Sequence, residues 1–517
     1  MTVRSILWRA TALLSLLLLL NGCEPSDSPE KAGASADLAM DGDDLLPLSE
    51  VKPIDIAELA DNAFKELWPQ LTDARSGDLD ELLTRGEIRI LTTFSLGQYY
   101  IDKGTQRGLT FESIREMEAF FKKKLGKKKT QLLKFTIIPV RRDQLIPFLM
   151  EGYGDIAFAN LTITEHREQV VDFSLPFSSR VREMFVTHSG EPPLTSLDEL
   201  SGREIHVRFS SSYYESLVAL NRDFEQRRVP LIRIVPVDPR LEDEDVLELV
   251  NDGILPATVA DEHKLDLWRR VFKGLQVHDD IPVREGGKVA LAFRQDSPKL
   301  KAVLDEFAHS HRVGTLIANT LLKRYFGNTN WVKTAEERDP FRGIHGLTKY
   351  FKTYGEQYEI DWLLLAAFAY QESHFNTKAR SGAGAVGVMQ ILPRTAKAIG
   401  FPDISGTQNN IHAGTKYLAR LRDHYFDDEN IEPFEKLLFT MAGYNAGPTR
   451  INRLRREAEQ RGLNPNRWFN NVELVVAAKV GREPVRYVGN IYRYYVAYKR
   501  SVYDLNARMQ AIQAVQE

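Results

Sequence analysis

A single acid, Glu372, closes an apolar helical stretch that is predicted to begin at an N-cap, Asp361, and it stands just before a run of small residues. Residues 369–390 read AYQESHFNTKARSGAGAVGVMQ, and this glutamate is their only carboxylate. Apolar surroundings raise the pKa of a carboxyl, because burial disfavours its charged form. Such a group holds a proton near neutral pH and can act as a general acid. The alternative is a solvated glutamate at a helix end.

Further motifs follow the acid in a fixed order. They are GVMQILPRTA (387–396), NIHAGTKYLARL (410–421), AGYNAGP (442–448) and EPVRYVGNIYRYY (483–495). Together they resemble the lytic transglycosylase domain related to goose-type lysozyme, with Val388 in place of the family's usual leucine. The resemblance implies a mainly α, lysozyme-like domain, which we place at 343–517, and peptidoglycan glycan strands as its substrate.

The motifs offer one carboxylate, whereas ordinary glycosidases use two. The acids between 427 and 435 are typical of a solvated charge run. The resemblance supplies the other reactive group, because the substrate carries its own nucleophile, the O6 hydroxyl of N-acetylmuramic acid. It implies that Glu372 protonates the glycosidic oxygen and then accepts the O6 proton, which leaves a 1,6-anhydro end. Two alternatives stay open: a hydrolytic muramidase of the lysozyme type, and a lipoprotein binding or sensing module with an inactive rear domain.

The resemblance also implies supporting roles for five polar side chains. Gln390 would donate an amide hydrogen bond to the sugar, and Tyr444 and Asn445 would orient the substrate or the acid. Tyr487 would hydrogen-bond near the acid. Ser373 would support the wall of the site or contact substrate. Helix packing or capping is the alternative for each.

The region 81–327 alternates strand-like and helix-like segments, which predicts an α/β domain with largely parallel sheets. Within it, GYGDIAFANLTITEHREQVVDFSLPF (152–177) resembles the family 3 solute-binding proteins that bind amino acids in the periplasm. The resemblance implies two lobes joined by a hinge, with the ligand between them. The predicted fold class is therefore multidomain: a two-lobed α/β periplasmic-binding-protein-like domain followed by a mainly α lysozyme-like domain.

Four residues of this front domain are predicted to hold the ligand. The resemblance assigns Arg167, Thr162 and Asn160 to the carboxylate of an amino acid or muropeptide, and a guanidinium suits that planar group. It assigns Asp261 to the ligand's ammonium. The alternatives are a structural salt bridge for Arg167 and a solvated helix start for Asp261. The stretch SRVREMF (179–185) indicates no chemistry.

The N-terminus is typical of an exported lipoprotein. Two arginines precede the apolar run Leu13 to Leu20, and Leu20-Asn21-Gly22-Cys23 resembles the bacterial lipobox. Residues 1–22 are thus predicted to be a signal peptide, with Cys23 lipidated and anchored in a membrane. The alternative is an ordinary signal peptide with an incidental cysteine. Since Cys23 is the chain's only cysteine, an intramolecular disulfide is excluded.

Composition predicts the connecting segments. Residues 23–80 form a tether with a possible docking helix, and residues 328–342 form a linker. Glu24 stands where the best-known inner-membrane retention signal has Asp, which favours the outer membrane of a Gram-negative envelope, facing the periplasm. The net charge of −3 over 517 residues argues against nucleic-acid binding. No cofactor and no metal site are predicted.

Overall fold

The computed structural model of the protein describes residues 73–126, 128–329, 331–332 and 345–516. The predicted signal peptide, Cys23, most of the tether with its docking helix, and most of the linker lie outside the described residues. Within the described part, no helix is both long and apolar enough to cross a membrane.

The front domain is built on two lobes that share one mixed sheet. Its strands are β1 (Glu87–Thr92), β2 (Tyr100–Asp102), β3 (Thr105–Arg107), β4 (Lys134–Pro139), β5 (Ile156–Thr162), β6 (Asp172–Phe173), β7 (Ser178–His188), β8 (Glu204–Val207), β9 (Arg233–Pro236), β10 (Ala257–Asp261) and β11 (Leu275–Phe293). The main sheet has the order β10-β7-β11-β5-β1-β4, with β6 paired to β11. The pairs β2-β3 and β8-β9 form separate two-stranded sheets.

Helices cover the faces of these sheets. They are α1 (Leu79–Arg85), α2 (Leu109–Leu125), α3 (Leu145–Met150), α4 (Glu165–Glu168), α5 (Ser212–Arg227), α6 (Asp243–Asn251), α7 (Glu262–Trp268), α8 (Pro298–His311) and α9 (Leu316–Tyr325). The first lobe buries an apolar core between its sheet, α2 and α8, and the second lobe buries its own against α5. The two cores make the lobes separate packing units.

The prediction of largely parallel sheets is wrong for the strands that join the lobes. The pairs β1-β4, β1-β5 and β8-β9 are parallel, but β11 is antiparallel to β5, β6 and β7, and β10 is antiparallel to β7. The cause is the path of the chain. Strand β7 carries it from the first lobe to the second and β11 carries it back, so these long strands lie side by side in opposite directions.

The rear domain is helical, as predicted. Its helices are α10 (His345–Gln357), α11 (Trp362–Ser373), α12 (Pro393–Ala398), α13 (Thr407–Tyr425), α14 (Pro433–Ala446), α15 (Pro448–Gln460), α16 (Glu473–Lys479) and α17 (Arg482–Gln516). Asp361 caps α11 as predicted, because its side chain accepts a hydrogen bond from the Leu363 amide. Residues 363–370 of α11 are buried all round, so this helix forms the centre of the domain.

The last helix, α17, belongs to both domains. It has 35 residues and spans about 52 Å at 1.5 Å per residue. Tyr492 and Val496 pack into the same apolar cluster as Phe148 of α3 in the front domain. Further along, Arg500 Nε donates to the Pro139 carbonyl at 2.8 Å. The two domains are therefore held together by shared apolar packing as well as by polar contacts.

Candidate active site

Glu372 lies in the last turn of α11, where the chain reverses sharply. His374 and Phe375, the residues after Ser373, have φ values of 51° and 64°. Two consecutive non-glycine residues in the left-handed region carry a conformational cost of about 1–2 kcal/mol each. The reversal brings the following loop back past the helix end, where the Ser373 hydroxyl donates to the Val388 carbonyl at 2.9 Å. Ser373 therefore fastens the wall of the site.

The carboxyl of Glu372 is half-buried and hydrogen-bonded. The Tyr487 hydroxyl of α17 donates to its Oε1. Burial raises the pKa of Glu372 to about 7, the nearby charge of Glu483 also raises it, and the Tyr487 hydrogen bond lowers it. Near neutral pH the group is thus poised between its acid and base forms, as a residue that first donates and then accepts a proton requires.

Aromatic rings form the apolar surroundings of the acid. Phe368, one turn earlier on α11, makes edge contacts with the rings of Tyr444 and Tyr487 at centroid distances of 4.8 and 6.2 Å. The Tyr444 hydroxyl donates to the Met389 carbonyl at 2.8 Å. Tyr444 therefore ties α14 to the loop that carries Gln390.

Gln390 uses its amide nitrogen within the protein. Its Nε2 donates to the Gly387 and Ala379 carbonyls at 2.9 and 3.2 Å, and its φ is 45°. These bonds fix the glycine-rich loop. The predicted donation to a sugar stays a prediction and requires that one of these two bonds be exchanged.

Glu483 is a residue that the sequence reasoning missed. Its Oε1 accepts a hydrogen bond from Asn445 Nδ2 at 3.0 Å, and its side chain is exposed in the first turn of α17. The signal was available, because Glu483 and Tyr487 are four residues apart on a helix and so share one face. Asn445 positions this second carboxylate rather than the acid itself.

A hairpin of the front domain also reaches α11, the helix that carries Glu372. Strands β2 and β3 meet at Gly104, whose carbonyl accepts from the Tyr498 hydroxyl at 2.6 Å. The Thr105 and Tyr370 hydroxyls are hydrogen-bonded at 3.2 Å. A Cβ added to Gly104 would lie 2.5 Å from the ring of Phe375. The hairpin tip thus packs directly on the strained turn that follows Glu372.

The acids at 427–435 are not all solvated, contrary to prediction. Glu435, in the first turn of α14, is 2% exposed. It accepts the Trp468 amide hydrogen bond at 2.7 Å. Burial raises the pKa of Glu435 to about 7. It is a buried structural carboxyl that links α14 to the segment before α16.

The four predicted ligand residues of the front domain lie together between the lobes. Arg167 donates to the Thr162 and Ser210 carbonyls at 2.7 and 2.8 Å, so it bridges the two lobes. Asn160 Nδ2 donates to Asp261 Oδ2 at 3.0 Å, a second bridge. The alternative of a solvated helix start is wrong for Asp261, which is 2% exposed. Arg167 Nε also lies 3.9 Å from Glu215 Oε1, an ion pair that keeps the salt-bridge alternative for Arg167 open.

Glu183 lies beside Asp261, in the stretch for which no chemistry was predicted. The two residues are opposite each other on β7 and β10, and Glu183 is 1% exposed. Burial and the charge of Asp261 raise the pKa of Glu183. Lys264 contacts Asp261 Oδ2 at 3.0 Å, which leaves the other oxygen of Asp261 without a hydrogen-bond partner in the described part of the chain. Among the described residues, no cluster of His, Cys, Asp and Glu is arranged for a metal ion.

Comparison with known proteins assigns the front and rear parts of the chain to two families. Residues 92–328 match the family described as bacterial extracellular solute-binding proteins, family 3, and residues 349–466 match the transglycosylase SLT domain. A relative from Alkalilimnicola ehrlichii, membrane-bound lytic murein transglycosylase F 1, is 30% identical over 440 residues, covering 82% of this chain and 85% of the relative.

The chain belongs to the membrane-bound lytic murein transglycosylase F family. A second member of this family, from Desulfosudis oleivorans, is 29% identical over 427 residues, covering 79% of this chain and 89% of its own. As a lytic murein transglycosylase F family member, the chain is an enzyme with a solute-binding-protein-like front domain. An ancestral arginine-binding protein bound to arginine is 21% identical, with a TM-score of 0.38, and covers 47% of the chain and 99% of its own.

Proposed function

We propose that the enzyme cleaves the β-1,4 bond between N-acetylmuramic acid and N-acetylglucosamine without water, leaving 1,6-anhydro ends. The observation that carries this proposal is the state of Glu372. Its carboxyl is half-buried among aromatic rings, accepts the Tyr487 hydrogen bond, and has a pKa raised to about 7. A group that changes protonation near neutral pH can serve as acid and base in sequence.

The reaction then needs no second protein carboxylate. Glu372 donates its proton to the glycosidic oxygen as the bond to C1 breaks. The carboxylate that remains accepts the proton of the O6 hydroxyl while O6 bonds to C1. At the end of the reaction Glu372 is protonated again and no water has taken part. The product sugar carries an intramolecular bond between its O6 and C1 atoms.

A hydrolytic muramidase remains the second candidate, and Glu483 favours it. This carboxylate is held by Asn445 close enough to raise the pKa of Glu372. In an inverting hydrolase, a second carboxylate of this kind would activate water. The two reactions give products that differ by one water molecule.

Mass spectrometry of digested peptidoglycan separates the candidates. We expect new glycan ends that are lighter than reducing ends by one water, and we expect Glu483→Gln to keep forming them. Reducing ends from the wild type would establish hydrolysis instead. Glu372→Gln should cleave on the order of 10²–10⁴-fold more slowly, because its amide cannot deliver the proton. A Glu372→Gln enzyme with normal turnover would refute the assignment of the acid.

The front domain is proposed to bind an amino acid or wall peptide and to regulate cleavage. Support comes from the interlobe position of Arg167, Thr162, Asn160 and Asp261. In the present arrangement Arg167 is bonded to carbonyls of both lobes, and Asn160 to Asp261. A ligand that takes over these groups would replace lobe-to-lobe bonds, so its binding depends on the lobe arrangement.

Helix α17 provides a route between the two sites. Tyr487 lies near its start, and Arg508 near its end approaches Glu244 and Asp245 of α6 at 3.6 and 3.4 Å. Glu244 in turn accepts hydrogen bonds from the Ser95 hydroxyl and the Leu96 amide of the first lobe. Both lobes and α17 thus meet at Glu244, which we call the lobe junction.

Regulation is tested by cleavage rates with and without amino acids and muropeptides. A coupling free energy of about 1–3 kcal/mol would change the rate or affinity by several-fold or more. Arg167→Ala should abolish both binding and the rate change. A ligand that binds through Arg167 and leaves the rate unaltered would reduce the front domain to a targeting or scavenging module.

The envelope location is proposed from the lipobox-like segment and from the relatives' description as membrane-bound. We propose lipid attachment at Cys23 and residence at the outer membrane, facing the periplasm. Labelled fatty acid should enter the wild type and not Cys23→Ala. Equal labelling of both proteins would refute the anchor.

A further inference from the structure

A cavity of about 270 Å³ lies in the front domain where both lobes meet the hinge strands. It is lined from the first lobe by α2, β5, α8 and α9, from the hinge by β7 and β11, and from the second lobe by Glu262 and His263 at the start of α7. We call it the hinge cavity. Asn160 is the single residue that it shares with the four predicted ligand residues. The hinge cavity is therefore distinct from the amino-acid site that Arg167 and Asp261 define.

Most of its wall is apolar. Phe158 and Phe177 stack face to face with a centroid distance of 5.6 Å, and Phe307 packs edge-on against Phe177 at 6.0 Å. Leu321 and Leu322 of α9 line the same space. A cavity of about 150 Å³ with such a lining binds benzene, so the hinge cavity has room for a larger apolar body.

One buried polar group on the wall lacks a partner. Gln98 is 6% exposed, and its Oε1 accepts a hydrogen bond from the Thr110 hydroxyl at 3.0 Å. Its Nε2 has no hydrogen-bond partner among the described residues. Such an unsatisfied donor costs about 1–3 kcal/mol, and a ligand acceptor in the cavity would recover that free energy.

The charge on the wall favours an anion without an ammonium group. Arg180 lines the cavity, and no carboxylate of the described residues lies within ion-pair distance of it. The acid on the wall, Glu262, is already paired with Arg182, whose Nε lies 3.0 Å from Glu262 Oε2. A negative group would therefore meet an unpaired cation, whereas a ligand ammonium would compete with Arg182 for its partner.

We infer that the hinge cavity is a second ligand site, which binds a small apolar monocarboxylate. The apolar body packs among Phe158, Phe177 and Leu321. The carboxylate accepts the Gln98 amide hydrogen bond and is neutralised by Arg180. Because both lobes line the cavity, the occupant stabilises the lobe arrangement in which the cavity is formed.

Calorimetry on the full chain tests this inference with four probes. Decanoate and 3-phenylpropionate carry the proposed chemistry on a straight chain and on an aromatic ring. We expect at least one of them to bind with a stoichiometry of one. The tighter of the two shows whether the apolar part of the ligand is a straight chain or an aromatic ring. Decanol lacks the charge and phenylalanine adds an ammonium, so both should bind at least tenfold more weakly than the matching carboxylate. Phenylalanine and 3-phenylpropionate are compared in Arg167→Ala, because the amino-acid site of the wild type is itself proposed to bind amino acids.

Variants locate the binding. Leu321→Trp fills the cavity and should abolish binding, whereas Leu316→Trp on the same helix, at a side chain that is 85% exposed, should leave it unchanged. Gln98→Leu and Arg180→Gln should each weaken binding about tenfold or more. Arg180 is exposed, so its variant tests the inference even if the buried substitutions disturb folding.

Three results would overturn the inference. They are the absence of binding by both carboxylates, equal affinity for decanol and decanoate, and affinity that Leu321→Trp and Arg180→Gln leave unaltered. None of these readouts involves peptidoglycan cleavage, so they stand apart from the test of the catalytic proposal.

Discussion

At the scale of single residues, two neighbours change the pKa of the Glu372 carboxyl in opposite directions. Glu483 contributes a negative charge that raises its pKa, and Tyr487 donates a hydrogen bond that lowers it, both against a larger effect of burial. In the proposed mechanism the protonated form begins the reaction, so the rate is expected to fall as the pH rises through about 7. We call this fall the alkaline limb of the pH–rate profile. Replacing Glu483 and replacing Tyr487 should shift it in opposite directions.

Glu483→Gln should move the alkaline limb to lower pH. Removing the negative charge makes ionisation of Glu372 easier, so the acid form is lost at a lower pH. The measurement is the pH dependence of kcat/KM on purified glycan strands. Tyr487→Phe should move the limb the opposite way, and Glu459→Gln, an exposed acid on α15, should not move it. Shifts of the same sign in the Glu483 and Tyr487 variants would contradict this account.

Glu372→Gln should also change the pH dependence of stability. The folded pKa of about 7 lies above the unfolded value near 4.3, so the wild type loses stability as the pH rises between these values. The amide does not ionise and avoids that loss, which is on the order of 3 kcal/mol if the shift is fully expressed. Unfolding of the two proteins should coincide near pH 4 and diverge by pH 8, with the variant more stable. Equal stability at pH 8 would show that the carboxyl is not desolvated.

At the scale of elements, the β2-β3 hairpin supports the turn that follows Glu372. Its tip at Gly104 contacts the ring of Phe375, and its neighbour Thr105 bonds to Tyr370 of α11. The turn that it covers holds two left-handed residues directly after Ser373. An unsupported turn of this kind would relax, and the end of α11 would move with it.

Gly104→Ala should therefore lower kcat about 10- to 100-fold with a smaller effect on KM, because a small displacement of the acid is costly. The added Cβ would meet Phe375 at 2.5 Å. Gly253→Ala is the matched control: its φ is also positive, at +70°, but its Cβ would have nothing within 4 Å. The two variants share the backbone cost, so equal cleavage rates would refute the bracing role.

Elements with a strong local pattern could be predicted, and those defined by distant contacts could not. Helix α11 was predicted because its apolar run and the Asp361 cap are contiguous. Strand β11 was not recognised as a long hinge strand, because its 19 residues include the polar stretch HDD and a glycine pair, and its pairing with β7 shifts register repeatedly. No local sequence pattern in β11 indicates that β7 is its antiparallel partner.

The same limit applies to the sites. Glu372, Gln390 and Tyr487 could be chosen from motifs that a single stretch of sequence contains. The Gly104 contact with Phe375 and the buried pair of Glu183 and Asp261 arise only when distant segments pack together. Glu483 is an intermediate case. It lies in the motif that contains Tyr487, but its role follows only from the four-residue helical spacing that places both side chains on one face.

At the scale of the whole molecule, the lobe junction concentrates buried charge. Arg508 is 11% exposed in its side chain and lies within 3.6 Å of Glu244, Asp245 and Asp504. Burial and the charge of Asp245 raise the pKa of Glu244 to about 7. The cation of α17 thus holds together three acids, two of which belong to the front domain.

Arg508→Met should destabilise the protein by about 3–5 kcal/mol, because buried acids would lose their counter-charge. The loss should be larger at pH 8 than at pH 6, since Glu244 is ionised above its pKa of about 7. Any effect of front-domain ligands on the cleavage rate should disappear as well. Calorimetric unfolding and rate measurements check both, with Arg453→Met on the exposed face of α15 as control. A stable variant with intact ligand response would exclude α17 as the route.

Helix α17 follows all the other described helices and strands in the sequence, and this order has a consequence for biosynthesis. Tyr487 meets an acid 115 residues earlier in the sequence, and Tyr498 meets a carbonyl 394 residues earlier. Domains usually fold in the order in which they are synthesised, but here the contacts of the front domain's hairpin and lobe junction are complete only after α17 has been made. The nascent chain therefore lacks the contact of Tyr487 with Glu372 until α17 is made, and proteolytic cleavage ahead of Tyr487 should inactivate a chain that still contains Glu372.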